Sequence, residues 1–334
     1  MRIAPAVSAV LVALALAGPA AGAYKPRLVA GGGGSETTLH ITWRVGDDAT
    51  QAVTLYAPSA YTLDTPAVGA KVGTARETIV ETAHGNARVR PSGAITVADP
   101  SNPPLRAAAT ECTLNPLHEQ AWTATLNGKN PVSLLIFVDR TTPAEAVLGS
   151  IKLQFCFRPP DVTEAQGGAQ RGGKVVDLVL HVTSVLEAPT TAGDHLWHGL
   201  FTPYIPRTKT ANRTGTVEAQ SLLRVPRLVT LKARRIAKKV RLTGQVSEGG
   251  NRLGGAVVTV FRNGRRLGRV KTNEDAGFRV TLALPRSASF SVRADVKERT
   301  TSCQGTTVAP AGCTSATVSG FTVRSRRVGV PRRR

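Results

Sequence analysis

His195 and His198, three residues apart and beside Asp194, are the side chains best suited by type and spacing to chemistry. On a helix that spacing would set two imidazoles on one face, where they could share a metal ion. Gly193, Gly199 and Pro203 argue against a helix, and no third ligand is evident. The pair therefore reads as polar positions around a packed Trp197 and Phe201. Two carboxylate pairs, Asp47 with Asp48 and Glu77 with Glu81, have the residue types for acid and base work on a glycosidic bond. Aromatic residues are only 4% of the chain, too few for a sugar cleft lined by exposed rings. The acids then read as solvated surface charge and Trp43, Trp122 and Trp197 as core. G-x-S-x-G, H-E-x-x-H and a phosphate loop are all missing, since Gly31 to Gly34 lacks the Lys and Ser/Thr a P-loop needs. No catalytic residue, cofactor or metal site is nominated.

The cysteines point to bonding rather than catalysis. Cys112, Cys156, Cys303 and Cys313 are even in number and contain no C-x-x-C. One pair falls in each half of the chain, which favours Cys112 to Cys156 and Cys303 to Cys313 among three connectivities. Disulfides imply an oxidising compartment. Arg2, the apolar run at 6–17, the break at Gly18 and Pro19, and Ala21-Gly22-Ala23 fit a secretory signal peptide over residues 1–23. No later stretch is apolar enough to span a bilayer. The expected location is secreted, extracellular or cell-surface.

The elements that would carry these residues are strands. Val, Thr, Gly and Pro dominate, and short β-branched runs recur between turn residues. Runs at 37–45, 51–56, 79–82, 94–98, 121–126, 132–138, 147–157, 175–185 and 216–222 read as strands. In Leu39-His40-Ile41-Thr42-Trp43-Arg44-Val45 apolar and polar residues alternate, so one face packs inward. The expected fold class is all-β, with two β-sandwich-like domains, the second immunoglobulin-like. The expected divisions are a flexible leader at 24–36, an N-terminal β domain at 37–223, a basic linker at 224–237, an Ig-like sandwich at 238–323 and a basic tail at 324–334.

In the second half, Asn263-Gly264 lies between Val257-Val258-Thr259-Val260-Phe261-Arg262 and Arg265-Arg266-Leu267. It predicts a two-residue hairpin, because a type I′ turn needs positive φ at both central residues. Leu242-Thr243-Gly244-Gln245-Val246, Arg252-Leu253-Gly254-Gly255-Ala256-Val257-Val258-Thr259-Val260 and Asn273-Glu274-Asp275-Ala276-Gly277-Phe278 complete a recurring pattern. This stretch resembles the bacterial Ig-like and carboxypeptidase-regulatory-like modules of secreted proteins. It departs from them at Ala276, which separates the usual Asp-Gly. The resemblance implies a sandwich used as a spacer, display element or binding unit. The N-terminal half resembles no family.

Charge divides the chain more sharply than any motif. Residues 24–223 carry 17 Lys+Arg and 17 Asp+Glu, whereas residues 224–334 carry 25 and 5. A field of one sign draws polyanions. Arg outnumbers Lys by 20 to 5 in that second stretch, which suits bidentate contact with phosphate or carboxylate. Arg265, Arg266, Arg269, Arg326, Arg327, Arg332, Arg333 and Arg334 are the expected polyanion-binding residues. Stacking aromatics and a reading helix are lacking, so specific nucleic-acid recognition is not expected. The reading is a non-enzymatic envelope or extracellular protein whose basic Ig-like module retains it on an anionic polymer. The alternative is an exported enzyme with its site in the N-terminal β domain and the Ig-like domain as accessory.

Overall fold

The computed structural model describes residues 24–128, 131–283, 287–303 and 312–331. The expected signal peptide, Arg332, Arg333 and Arg334 lie outside these residues. The first half contains β1 (Arg27–Gly33), β2 (Glu36–Thr42), β3 (Thr50–Ala57), β4 (Thr62–Leu63), β5 (Lys71–Glu81), β6 (Ala87–Val89), β7 (Ser92–Ala98), α1 (Pro103–Thr113), β8 (Gln120–Leu126), β9 (Val132–Arg140), β10 (Ile151–Cys156), β11 (Gly173–Thr183), β12 (Leu186–Glu187), β13 (Gly193–Pro203) and β14 (Val217–Val225). The second contains β15 (Arg227–Val229), β16 (Lys232–Ile236), β17 (Lys239–Glu248), β18 (Asn251–Arg252), β19 (Val257–Arg262), β20 (Arg265–Lys271), β21 (Gly277–Ala283), β22 (Ala288–Val296), β23 (Arg299–Ser302), β24 (Ser315–Val318), β25 (Phe321–Arg324) and β26 (Val328–Val330). The fold is all-β and sandwich-like in both halves.

The first half is built on one long sheet, ordered β1-β2-β11-β5-β7-β8-β9-β10-β3-β13-β14-β24-β23 with β6 also on β5, over a shared core, and β4 pairs with β12 in a separate two-stranded sheet. Alternation along each strand supplies that core: Leu39 and Ile41 from β2, Val53 and Leu55 from β3, Trp122 from β8 and Trp197 from β13 are all buried within it. Gly31 to Gly34 is not the expected flexible leader. β1 pairs with β2 from Arg27 opposite Thr42 to Gly33 opposite Glu36. A Cβ at Gly32, whose φ is +128°, would stand 2.1 Å from the Glu36 carbonyl oxygen. The glycine is there because the partner backbone leaves no room for a side chain. Ser221 Oγ then accepts from the Ala30 N–H at 2.8 Å and donates to the Thr317 carbonyl at 3.0 Å, clipping β1, β14 and β24 together.

α1 lies between the runs expected as strands at 94–98 and 121–126, where no element was expected. Its Leu105, Ala108 and Cys112 pack on Ala121, Leu135 and Phe137 of β8 and β9. Cys112 is bonded to Cys156 at the end of β10, with S–S 2.08 Å and Cα–Cα 5.7 Å. Cys303 is bonded to Cys313 with Cα–Cα 5.5 Å.

The second half packs two sheets face to face. β15, β16, β18 and β21 all pair with β17 in one, and the other runs β20-β19-β22-β25 with β26 also on β22. Val240, Leu242, Val246 and Phe278 of the first meet Val258, Val260, Phe290 and Val292 of the second. Three expected boundaries differ. The stretch expected as a basic linker forms β15 and β16. The stretch expected as a basic tail contains β26, which pairs with β22 and buries Val330, because Val328 and Val330 alternate in phase with that core. The end of the Ig-like sandwich expected at 238–323 divides at Ser319-Gly320: β24 joins the first sheet, parallel to β14, and β25 joins the second. A sheet is thus hydrogen-bonded across the expected division between 37–223 and 238–323. Leu196, Leu222, Cys303, Ala316 and Val318 form a small core of their own across it.

The junction is also held by charge. Glu248, fully buried, faces Arg227 Nε at 3.0 Å and contacts the Arg299 guanidinium. Arg227 Nη2 donates to Ser319 Oγ at 2.7 Å, and its guanidinium lies 4.7 Å from the Phe321 ring centroid. Arg27 contacts Glu298 across the junction, and within the first sheet Arg224 Nε lies 3.2 Å from Asp194.

One buried acid gives the fold a pH dependence. Glu77 lies on the same face of β5 as Ala75 and Ile79 and is 4% exposed. Burial pushes its carboxyl up to about 7 from an ordinary 4.5. Between those values the unfolded chain has released a proton that the folded chain keeps, so stability falls as pH rises. The loss is complete above pH 7 and amounts to about 3 kcal/mol. Glu77→Gln is expected to melt higher than the unsubstituted protein at pH 8 and to flatten the decline in melting temperature from pH 5 to 8. Parallel declines in both proteins would show that another group is responsible.

Candidate polyanion-binding surface

The strongest local signal in the sequence builds the surface. Asn263 and Gly264 take φ values of 51° and 83°, giving the two positive values that a type I′ turn requires. Asn263 Oδ1 accepts from the Ser289 N–H at 2.9 Å, and its own N–H donates to the Ser289 carbonyl at 2.9 Å. The β19-β20 hairpin is thereby pinned to β22. Alternation sends Val258 and Val260 into the core and turns Val257, Thr259 and Phe261 outward.

Register then converts the outward face into cationic rows. Arg269 stands opposite Thr259, Thr259 opposite Arg293, and Arg293 opposite Arg324. Arg266 stands opposite Phe261 and Lys271 opposite Val257. Arg266, Arg269, Lys271, Arg293 and Arg324 thus share one sheet face. Asp295, opposite Val257, is the acid on it, with Oδ2 3.3 Å from Arg293 Nε. Thr259, at the centre of the row, is 1% exposed, and its hydroxyl has no hydrogen-bond partner among the described residues.

Of the expected polyanion-binding residues, Arg266 and Arg269 lie on this face and are exposed. Arg265 lies at the hairpin end, directly opposite Arg262. Arg326 and Arg327 are exposed in the link from β25 to β26, immediately after Arg324. Arg332, Arg333 and Arg334 cannot be placed relative to it, lying outside the described residues. Arg293 was not expected here, and Arg324 was expected only as the start of the basic tail. Their signal is present in Phe290, Val292 and Ala294, whose alternation turns Arg293 outward, and in the register that brings Arg324 beside it.

The residues first considered for chemistry do not converge. The two-residue period of β13 sends His195 to the same side as Trp197 and His198 to the other. His195 Nε2 lies 3.4 Å from the Thr191 carbonyl oxygen, and His198 Nδ1 lies 2.6 Å from Glu218 Oε1. Among the described residues, no group of three or more His, Cys, Asp or Glu is arranged to hold a metal ion. The carboxylates expected as solvated charge are instead buried: Asp47, Glu77 and Glu81 are 6%, 4% and 5% exposed. Asp47 Oδ2 accepts from the Arg44 N–H at 3.1 Å and fixes a turn, and Glu81 faces Arg171 Nε at 3.0 Å. Four steps along a strand separate Glu77 from Glu81 by about 13 Å, beyond the spacing for glycoside hydrolysis. An open cleft of about 720 Å³ lies among loops near His84, Asp161, Glu164, Arg171 and Arg207, and neither His195 nor His198 lines it.

No protein-family model and no curated protein matches the chain. Among solved structures the chain is similar to one titled D0-D1 domain of Intimin, at 16% sequence identity and a TM-score of 0.20. The alignment covers 64% of this chain and 89% of that one. A superposition of that quality fixes no residue correspondence. No helix among the described residues is long and apolar enough to cross a membrane.

Proposed function

We propose that this chain is an exported, non-enzymatic envelope protein, retained on a phosphodiester-type anionic polymer by the outer face of β20-β19-β22-β25. The observation that carries this reading is the gathering of Arg266, Arg269, Lys271, Arg293 and Arg324 on one face beside the lone acid Asp295. Guanidinium groups in cross-strand rows match a polymer with a repeating charge, because each takes a phosphate through paired N–H donors. Two disulfides support an oxidising location. The N-terminal half, balanced in charge, is what the basic half holds in place.

The test is the salt dependence of retention on poly(glycerol phosphate). Each cation neutralised by the polymer releases a counterion, so log affinity should fall linearly with log salt. Arg266→Gln, Arg269→Gln and Arg324→Gln together should lower that slope by about 2, at roughly 0.7–0.9 per cation. Thermal melting should not fall, because these side chains are exposed. Salt-independent retention would reject the reading. Much tighter binding to single-stranded DNA of matched charge would reassign the surface to nucleic acid.

A further inference from the structure

The opposite sheet of the same sandwich carries a second basic face. In β17, Val240 and Leu242 point into the core, so Lys239, Arg241 and Thr243 point out. Arg234 of β16 stands directly opposite Arg241, and Lys232 opposite Thr243. Arg279 of β21 stands on the other side of Thr243. Lys232, Arg234, Lys239, Arg241 and Arg279 are all exposed, and no acid sits among them in either register. Arg235, the next residue of β16, alternates to the other side and donates to the Pro331 carbonyl at 2.8 Å. It is used inside the fold, whereas Arg234 has no such partner among the described residues.

Like charges directly opposite each other across an antiparallel pair destabilise it. Such pairs occur on both faces: Arg234 with Arg241 here, and Arg293 with Arg324 on the other sheet. In the second pair Asp295 relieves Arg293. In the first no group among the described residues does so, and an external anion is a charge that would.

We infer that the sandwich is bivalent: its two outer faces, on sheets about 10 Å apart, each take an anionic polymer chain, so that one molecule cross-links two chains. This rests on the retention proposed above and extends it from holding to bridging. Because the faces point in opposite directions, the straight chain lying on one is turned away from the cations of the other.

The experiment uses latex beads coated with poly(glycerol phosphate) and three forms of the full chain. These are the unsubstituted protein, a variant with Arg266→Gln, Arg269→Gln and Arg324→Gln, and a variant with Arg234→Gln, Arg241→Gln and Arg279→Gln. Two things are read: protein sedimenting with the beads, and clumping of the beads by light scattering. The unsubstituted protein should do both. Each single-face variant should still sediment with the beads but need at least about tenfold more protein to clump them, because linkage through two sites is lost. Failure of the unsubstituted protein to sediment would sink the retention reading itself. Sedimentation without clumping, or clumping by either variant at the unsubstituted concentration, would overturn bivalency alone. The second result would also arise if the chain bridged beads as a dimer, and it counts against the inference in that case too.

Discussion

Replacing Glu248 by Ala is expected to cost about 3–5 kcal/mol, because it strands two buried or half-buried guanidinium groups without a counter-charge. Glu248 is fully buried between Arg227 and Arg299, whose side chains are 13% and 31% exposed. Arg227 cannot swing into water freely, since Ser319 and the Phe321 ring also hold it. A chemical denaturation series on Glu248→Ala, Arg227→Met and the double variant would isolate the pair. The double variant should be less destabilised than the two single losses added together, because the second substitution removes the charge that the first left unpaired. A Glu248→Ala cost below about 1 kcal/mol would mean that water reaches the junction and screens it.

The second large effect is expected at the Cys112–Cys156 bond, which closes a sequence separation of 44 residues. On the chain-entropy model that crosslink contributes about 4 kcal/mol by restricting the unfolded chain. Replacing both cysteines by Ser should therefore lower the melting temperature by roughly 10 °C. Local opening should concentrate in α1, whose apolar contacts with the sheet come from Leu105, Ala108, Ala109 and Cys112 among the described residues. Hydrogen exchange would register it as faster exchange in Pro103–Thr113 than in β8 and β9. Uniform acceleration across the whole first sheet would instead place the bond's effect on global stability alone.

Local features were legible in the sequence and pairing partners were not. The Asn263-Gly264 turn, the burial of Trp43, Trp122 and Trp197, and the alternation of β2 each depend on a few neighbouring residues. α1 was not expected because Pro103 and Pro104 break regular structure in most settings, yet they are tolerated at the first positions of a helix, and Ala107 to Ala109 then favour its continuation. β1 was hidden by its glycines, whose flexibility in an isolated chain says nothing about the close backbone approach they permit at Glu36. The transfer of β23 and β24 to the first sheet is non-local, and the change in charge pointed the wrong way. A sign was nevertheless present: residues 300–323 contain no charged side chain, a neutral island within the basic half. As for the surface, composition identified the arginines, but only register could say that Arg269, Arg293 and Arg324 stand in one row and that Arg234 and Arg241 face away from them.

The parallel pairing of β14 with β24 sets an order on assembly. A chain emerging N-terminus first presents β14 about 90 residues before its partner strand exists. At roughly 5–20 residues per second, that is about 5–20 s in which one edge of an otherwise complete sheet lacks its neighbour. An open strand edge is a template for another chain, so nascent copies in that interval are most exposed to one another at β14. The hazard ends with the arrival of Ser315–Val318, near the end of the chain, so a copy cut short before that segment would keep a permanently adhesive edge.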